Sequence, residues 1–94
     1  MEISRARRAV FEALKIAAPH TFDDAMRHAF LAEALNLKLT ELDMDSLGEM
    51  EFCISIELST GVTVLPSQLA ALGSTEAIEL HLEAGAGVIE RGSG

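Results

Sequence analysis

The chain has 94 residues, of which 49% are hydrophobic and one is cysteine, and it carries a formal charge of -8. That is one domain, with enough apolar content for a core; a lone cysteine excludes a disulfide framework, and no Cys/His set has zinc-ligand spacing. The charge is lopsided: residues 1–40 hold six Arg/Lys and five Asp/Glu, while residues 41–94 hold ten acids and Arg91. Such an acidic half repels nucleic-acid phosphates and anionic membranes; it serves solubility, or partners with basic docking patches.

Met1 to Ala18 mixes charges with apolar residues, unlike a secretory leader, and no apolar run approaches the roughly 20 residues of a bilayer span. The expected setting is the cytoplasm. Ser4 to Ala17 reads as an amphipathic helix, with Ile3, Val10, Phe11, Leu14 and Ala17/Ala18 at three- and four-residue steps. Ser4 is placed to cap it and Pro19 to stop it. Arg5, Arg7, Arg8, Glu12 and Lys15 fall on its other faces and read as solvated. A second helical stretch opens at Thr21 or Asp23 and extends to about Leu35. Its apolar residues are Ala25, Met26, Ala29, Phe30, Leu31 and Leu35, and it is either a full helix or a partly helical loop. Asn36 to Thr40 reads as a connection anchored by Leu37 and Leu39.

Ser46 to Thr60 has the clearest helical pattern. Leu47, Met50, Ile54 and Leu58 form one apolar stripe at spacings of three, four and four. Phe52, Cys53 and Ile56 widen it, so this helix is expected to be buried over much of its girth. Gly61 is placed as its C-terminal glycine. Val62 to Leu65 is an apolar connection, and Pro66 fits the first turn of a short helix through Ala71. Ser74 or Thr75 caps a last helix whose apolar side is Ala77, Ile78, Leu80 and Leu82. The glycines at 85, 87, 92 and 94 suggest a flexible tail. The expected architecture is all-α, a small three- to four-helix bundle over residues 1–84 with a Gly-rich tail at 85–94.

Leu42-Asp43-Met44-Asp45-Ser46-Leu47 concentrates the chemistry. Ser46-Leu47-Gly48-Glu49 has the S-x-x-E form of a capping box, and on that reading Ser46→Ala would lose about 0.5–2 kcal/mol. Alternatively Asp45 is the cap and the serine oxygen is free for esterification. A phosphodiester there would lie against the unpaired N–H groups and positive dipole of a helix start.

The ordered set of Asp45-Ser46-Leu47 before a helix, Gly61, Leu65-Pro66 and a closing helix from Ser74 to Leu82 resembles acyl and peptidyl carrier proteins over roughly residues 3–84. In that family the serine carries 4'-phosphopantetheine, moved from coenzyme A by a phosphopantetheinyl transferase with Mg²⁺. The resemblance implies a non-enzymatic tether for acyl or aminoacyl thioesters in fatty-acid, polyketide or nonribosomal-peptide-type biosynthesis, with Ser46 as the attachment point. It implies a monomer served by a loading ligase and by downstream synthases or transferases. Asp45, Glu49, Glu51 and Glu57 would be docking acids. Met44, Leu47 and Met50 would meet partners or the arm, although Met50 reads better as core. Two departures stand out: Asp43 where the family commonly has glycine, and Gly48 where a larger or acidic residue is frequent, which costs the first turn up to about 1 kcal/mol.

Rival readings have less support. A serine hydrolase lacks the G-x-S-x-G elbow, and His20, His28 and His81 have no assignable relation to Ser46. Asp43 to Gly48 mimics the opening of an EF-hand loop, but Ile54 occupies the place of its bidentate glutamate. Cys53 reads as an inert thiol in the helix's apolar side. The remaining alternative is a non-catalytic interaction or adaptor domain, an unmodified carrier with the same acidic face.

Overall fold

A computed structural model describes residues 4–32 and 36–93. Among them are five α-helices: α1 (Arg5–Ala17), α2 (Asp24–Ala32), α3 (Ser46–Thr60), α4 (Pro66–Leu72) and α5 (Thr75–Ser93). A 3-10 turn at Leu39–Leu42 precedes α3, and a single antiparallel bridge joins Lys38 to Ser74. The architecture is a small all-α bundle.

α1 is the central post. Ser4 caps it, its Oγ accepting from the Arg7 amide at 3.0 Å. Ala6, Ala9, Val10, Ala13 and Leu14 are buried, and the three alanines let α3 approach closely. α1 also touches α2 and α5. Phe11 of α1 meets Phe22 and Phe30 at centroid distances of 5.7 and 6.3 Å, and Phe22 meets Phe30 edge-on at 5.7 Å. This aromatic triad, buried at Phe22 and Phe30, is what α2 packs on. Asp23 opens α2, its Oδ1 accepting from the Met26 amide at 3.0 Å. The second helical stretch is therefore a full helix through Ala32; Ile3 and Leu35, named above as apolar anchors, lie outside the described residues.

Three expectations need correction. Arg7 is not solvated. Its Nε and Nη2 donate to the Phe30 carbonyl at 3.0 and 2.6 Å, its Nη1 meets Glu79 Oε2 at 2.7 Å, and the guanidinium sits 4.0 Å from the Phe30 ring centre. It closes the C-terminal end of α2 and ties it to α5. Leu80 faces solvent on α5, whose packed residues are Ile78 and Leu82. Finally, α5 continues to Ser93 where the glycines suggested that helix ends after Glu83. No proline interrupts it, and propagating an anchored helix offsets a glycine cost of about 1 kcal/mol each. Gly85 also has a packing reason: a Cβ there would stand 3.2 Å from both Val62 methyls.

The connections are held by capping. Gly61 and Gly73 take left-handed φ values of 76° and 78°, ending α3 and α4. Val62 and Val64 are buried between them. Ser74 caps α5 through its Oγ and the Ala77 amide at 3.3 Å. Thr75 is fully buried: its Oγ1 accepts from the Leu37 amide at 3.0 Å and donates to Asn36 Oδ1 at 3.3 Å, which locks the segment before the 3-10 turn onto α5.

Candidate functional site: the start of α3

Leu42 anchors the segment leading into α3; it is fully buried, and its carbonyl accepts from Thr21 Oγ1 at 2.8 Å. Asp43 then turns the chain at φ 50°, ψ 44°, the left-handed region that glycine occupies freely and Asp tolerates. Met44 packs part-buried against the core. Asp45 is the N-cap, with an extended backbone and its Oδ1 accepting from the Gly48 amide at 2.7 Å.

Ser46 is thus the first residue inside the helix and not its cap. Its side chain is exposed, and no hydrogen bond engages its hydroxyl among the described residues. The carboxylate of Asp45 does the capping in the S-x-x-E stretch, which corrects the serine-led capping box. The remaining first-turn N–H groups lie beside the exposed Oγ.

Gly48 is buried, and its absent side chain has a structural reason. A Cβ there would lie 3.0 Å from the Ala17 carbonyl oxygen, 3.2 Å from Asp45 Oδ1 and 3.4 Å from the Met44 Cβ. The start of α3 presses on the end of α1, and only glycine fits that gap without displacement.

The largest departure from the sequence reading is on α3 itself. Its packed face is Gly48, Phe52, Cys53 and Ile56. The stripe expected to be core faces outward: Leu47 is 64% exposed, Met50 53%, Ile54 56% and Leu58 83%. At 100° per residue, Leu47, Ile54 and Leu58 project within about 20° of one line, opposite Ile56. The helix is apolar on both sides, so periodicity could not say which side was buried. Asp45, Glu51 and Glu57 are exposed and Glu49 is half-buried. Glu51 and Glu57 therefore flank an exposed apolar ridge, whereas Asp45 and Glu49 lie at the start of the helix, away from it.

Two cavities border α3. One, of about 390 Å³, opens between the 3-10 turn and α4, where Leu39, Asp43, Met44, Glu49 and Leu69 are among its lining residues. Met44 and Glu49, on either side of Ser46 in sequence, line this cavity, and Ser46 itself does not. The other, of about 530 Å³, lies between α1 and α3. Burial pushes the Cys53 thiol up, and the carboxylate of Glu49 adds to this, so the thiol stays protonated and inert at neutral pH. None of His20, His28 and His81 is hydrogen-bonded to Ser46. Residues 46–54 are helical, which leaves no open calcium-type loop.

The Arg7 network is what sequence reasoning missed. A signal was present: Arg7 stands four and seven residues before Phe11 and Leu14, on the same face of α1. No family model, curated protein or solved structure matches this chain. No helix among the described residues is long and apolar enough to cross a membrane.

Proposed function

We propose that this protein is a discrete carrier that holds acyl or aminoacyl intermediates as thioesters on a 4'-phosphopantetheine arm attached to Ser46. The observation that carries this reading is the division of labour at the start of α3. Asp45 does the capping, which leaves the Ser46 Oγ exposed, without a partner, and next to helix N–H groups that favour an anionic phosphodiester. The left-handed turn at Asp43 also supports it, because a glycine at that position, common in carriers, would adopt the same turn without strain.

Attachment would form a bond from Ser46 Oγ to the pantetheine-side phosphorus of the coenzyme A diphosphate and break that phosphorus's bond to the bridging oxygen, which leaves on the released adenosine 3',5'-bisphosphate. The hydroxyl proton goes to the transferase's base, and Mg²⁺ bound with coenzyme A offsets the phosphate charge. The carrier contributes the exposed nucleophile and a docking face: Asp45, Glu49, Glu51 and Glu57 for basic patches, Leu47 and Met50 for apolar contact, and Met44 at the cavity wall. Partner enzymes, among them a loading ligase and downstream synthases or transferases, perform the chemistry in the cytoplasm.

A second reading, an unmodified interaction domain, is favoured by the extent of the outward apolar face of α3, which runs well past Ser46 to Leu58. Intact-protein mass spectrometry separates the two. After incubation with coenzyme A, Mg²⁺ and a broad-specificity phosphopantetheinyl transferase, the carrier gains one phosphopantetheine and Ser46→Ala gains none. No gain, both with that transferase and in protein purified from the native host, would leave the interaction domain as the reading.

A further inference from the structure

The C-terminal half of α3 carries an apolar surface that a tether at Ser46 does not use. Ile16 of α1 is 54% exposed and faces the same groove as Ile54 and Leu58 of α3. The groove is an open depression of about 530 Å³, and Ser55, with its small side chain, also lines it. A large apolar groove left open on a small acidic protein is the surface a helix-in-groove partner covers.

Charge identifies the occupant. Glu12 and Glu51 line the groove. Glu12 is shared with Lys15 at 3.4 Å, whereas neither Glu51 nor Glu57 has an ion-pair partner among the described residues. α3 contains no basic residue at all. Arg5 and Arg8 lie about one turn or more N-terminal of Glu12 on α1 and do not line the groove. A second copy would set glutamates against glutamates on a chain of charge -8, and an anionic membrane is repelled in the same way.

We propose that the groove between α1 and α3 docks an amphipathic helix of a partner protein, with aliphatic side chains seated between Ile16, Ile54 and Leu58 and Lys or Arg flanks facing Glu51 and Glu12. Its apolar seat at Ile54 and Leu58 lies two turns or more beyond Ser46 on α3 and shares only Glu51 with the docking face of the tether, so it acts whether or not Ser46 is modified.

The test is fluorescence anisotropy with a labelled helical peptide that carries Leu at i, i+4 and i+7 and Lys on both flanks. A scrambled peptide of the same composition serves as control, and far-UV circular dichroism and urea midpoints confirm that each variant is folded. Wild type and Ser46→Ala bind the amphipathic peptide equally, and affinity falls as salt rises. Leu58→Ser and Ile16→Ser each weaken binding about tenfold or more, and the scrambled peptide does not bind. Binding that survives both substitutions, equal binding of the scrambled peptide, or no binding at all overturns the proposal. So does a concentration-dependent dimer in sedimentation that Leu58→Ser abolishes, because the occupant is then a second copy.

Discussion

Asp45→Ala and Ser46→Ala should separate in stability, although the two residues are neighbours at one helix start. Asp45 contributes a charge-assisted hydrogen bond of 2.7 Å to the Gly48 amide and places a carboxylate at the positive end of α3. Loss of a cap costs about 0.5–2 kcal/mol, and the charge at the dipole about 0.3–1 kcal/mol. These overlap, so Asp45→Ala should lose about 1–2 kcal/mol. Ser46 makes no hydrogen bond and is exposed at the first helical position, where alanine is a good helix former, so Ser46→Ala should stay within about 0.5 kcal/mol of wild type. Urea unfolding followed by far-UV circular dichroism measures both, with a common slope as the check that the transition is unchanged. A loss of more than about 1 kcal/mol in Ser46→Ala, or none in Asp45→Ala, would refute the assignment of the cap. The same pair then tests the proposed carrier function, which expects Ser46→Ala to abolish modification and Asp45→Ala to retain the attachment oxygen.

Arg7→Ala should be among the most damaging changes, at about 3–5 kcal/mol, because the Arg7 and Glu79 side chains are only 13% and 14% exposed and Glu79 would lose its partner. Glu79 also sets a pH signature. Burial holds its carboxyl above the ordinary 4.5, with Glu83 and Glu76 adding to this and Arg7 opposing it. A raised carboxyl binds its proton more tightly in the folded state, so its contribution is full below about pH 4.5 and is lost as pH rises through the folded value. Without Arg7 that loss is larger, so denaturation at acidic and neutral pH should show Arg7→Ala closer to wild type at the acidic end; a constant gap would contradict this. Gly48→Ala should destabilise by about 1 kcal/mol, since a Cβ 3.0 Å from the Ala17 carbonyl outweighs the helix-propensity gain; a stabilised variant in urea melts would show that the gap is slack. Thr75→Val should cost about 1–3 kcal/mol by leaving the buried Leu37 amide without its 3.0 Å acceptor, whereas Thr75→Ser should stay within about 1 kcal/mol of wild type; equal losses would point to packing instead. Charge reversal at Glu51 or Glu57 should weaken binding of a basic partner more at low salt than at high salt, and a salt-independent loss would indicate a packing defect.

The helices were legible because each carries its own punctuation. Ser4, Gly61, Pro66 and Ser74 act locally, through bonds to residues three or four positions away or through a preset φ, so a linear pattern reveals them. Ser46 was legible as a position, and its two capping alternatives differed by one residue that only the backbone could decide. The orientation of α3 was not legible. Phe52, Cys53 and Ile56 on one side and Leu47, Ile54 and Leu58 on the other give the helix two apolar faces, and the choice between them is made by the alanines of α1 and the gap at Gly48. Arg7 was misread for a related reason: its partners, the Phe30 carbonyl and Glu79, lie 23 and 72 residues away, and charge on a helix face looks the same in sequence whether water or a buried carboxylate receives it.

The two apolar faces of α3 also bear on how this chain can vary. α1 has an outward side at Arg5 and Arg8, outside the groove, where exchange between polar residues costs little. α3 has no comparable neutral side. Substitutions inward open cavities or clashes, those in the first turn disturb the cap or the gap at Gly48, and those outward alter the apolar ridge proposed for docking without unfolding anything. A saturation scan read for both abundance and function should therefore find α3 intolerant around its whole circumference. It should divide that intolerance by angle, with Phe52 and Ile56 failing on abundance and Leu47, Ile54 and Leu58 failing on function alone.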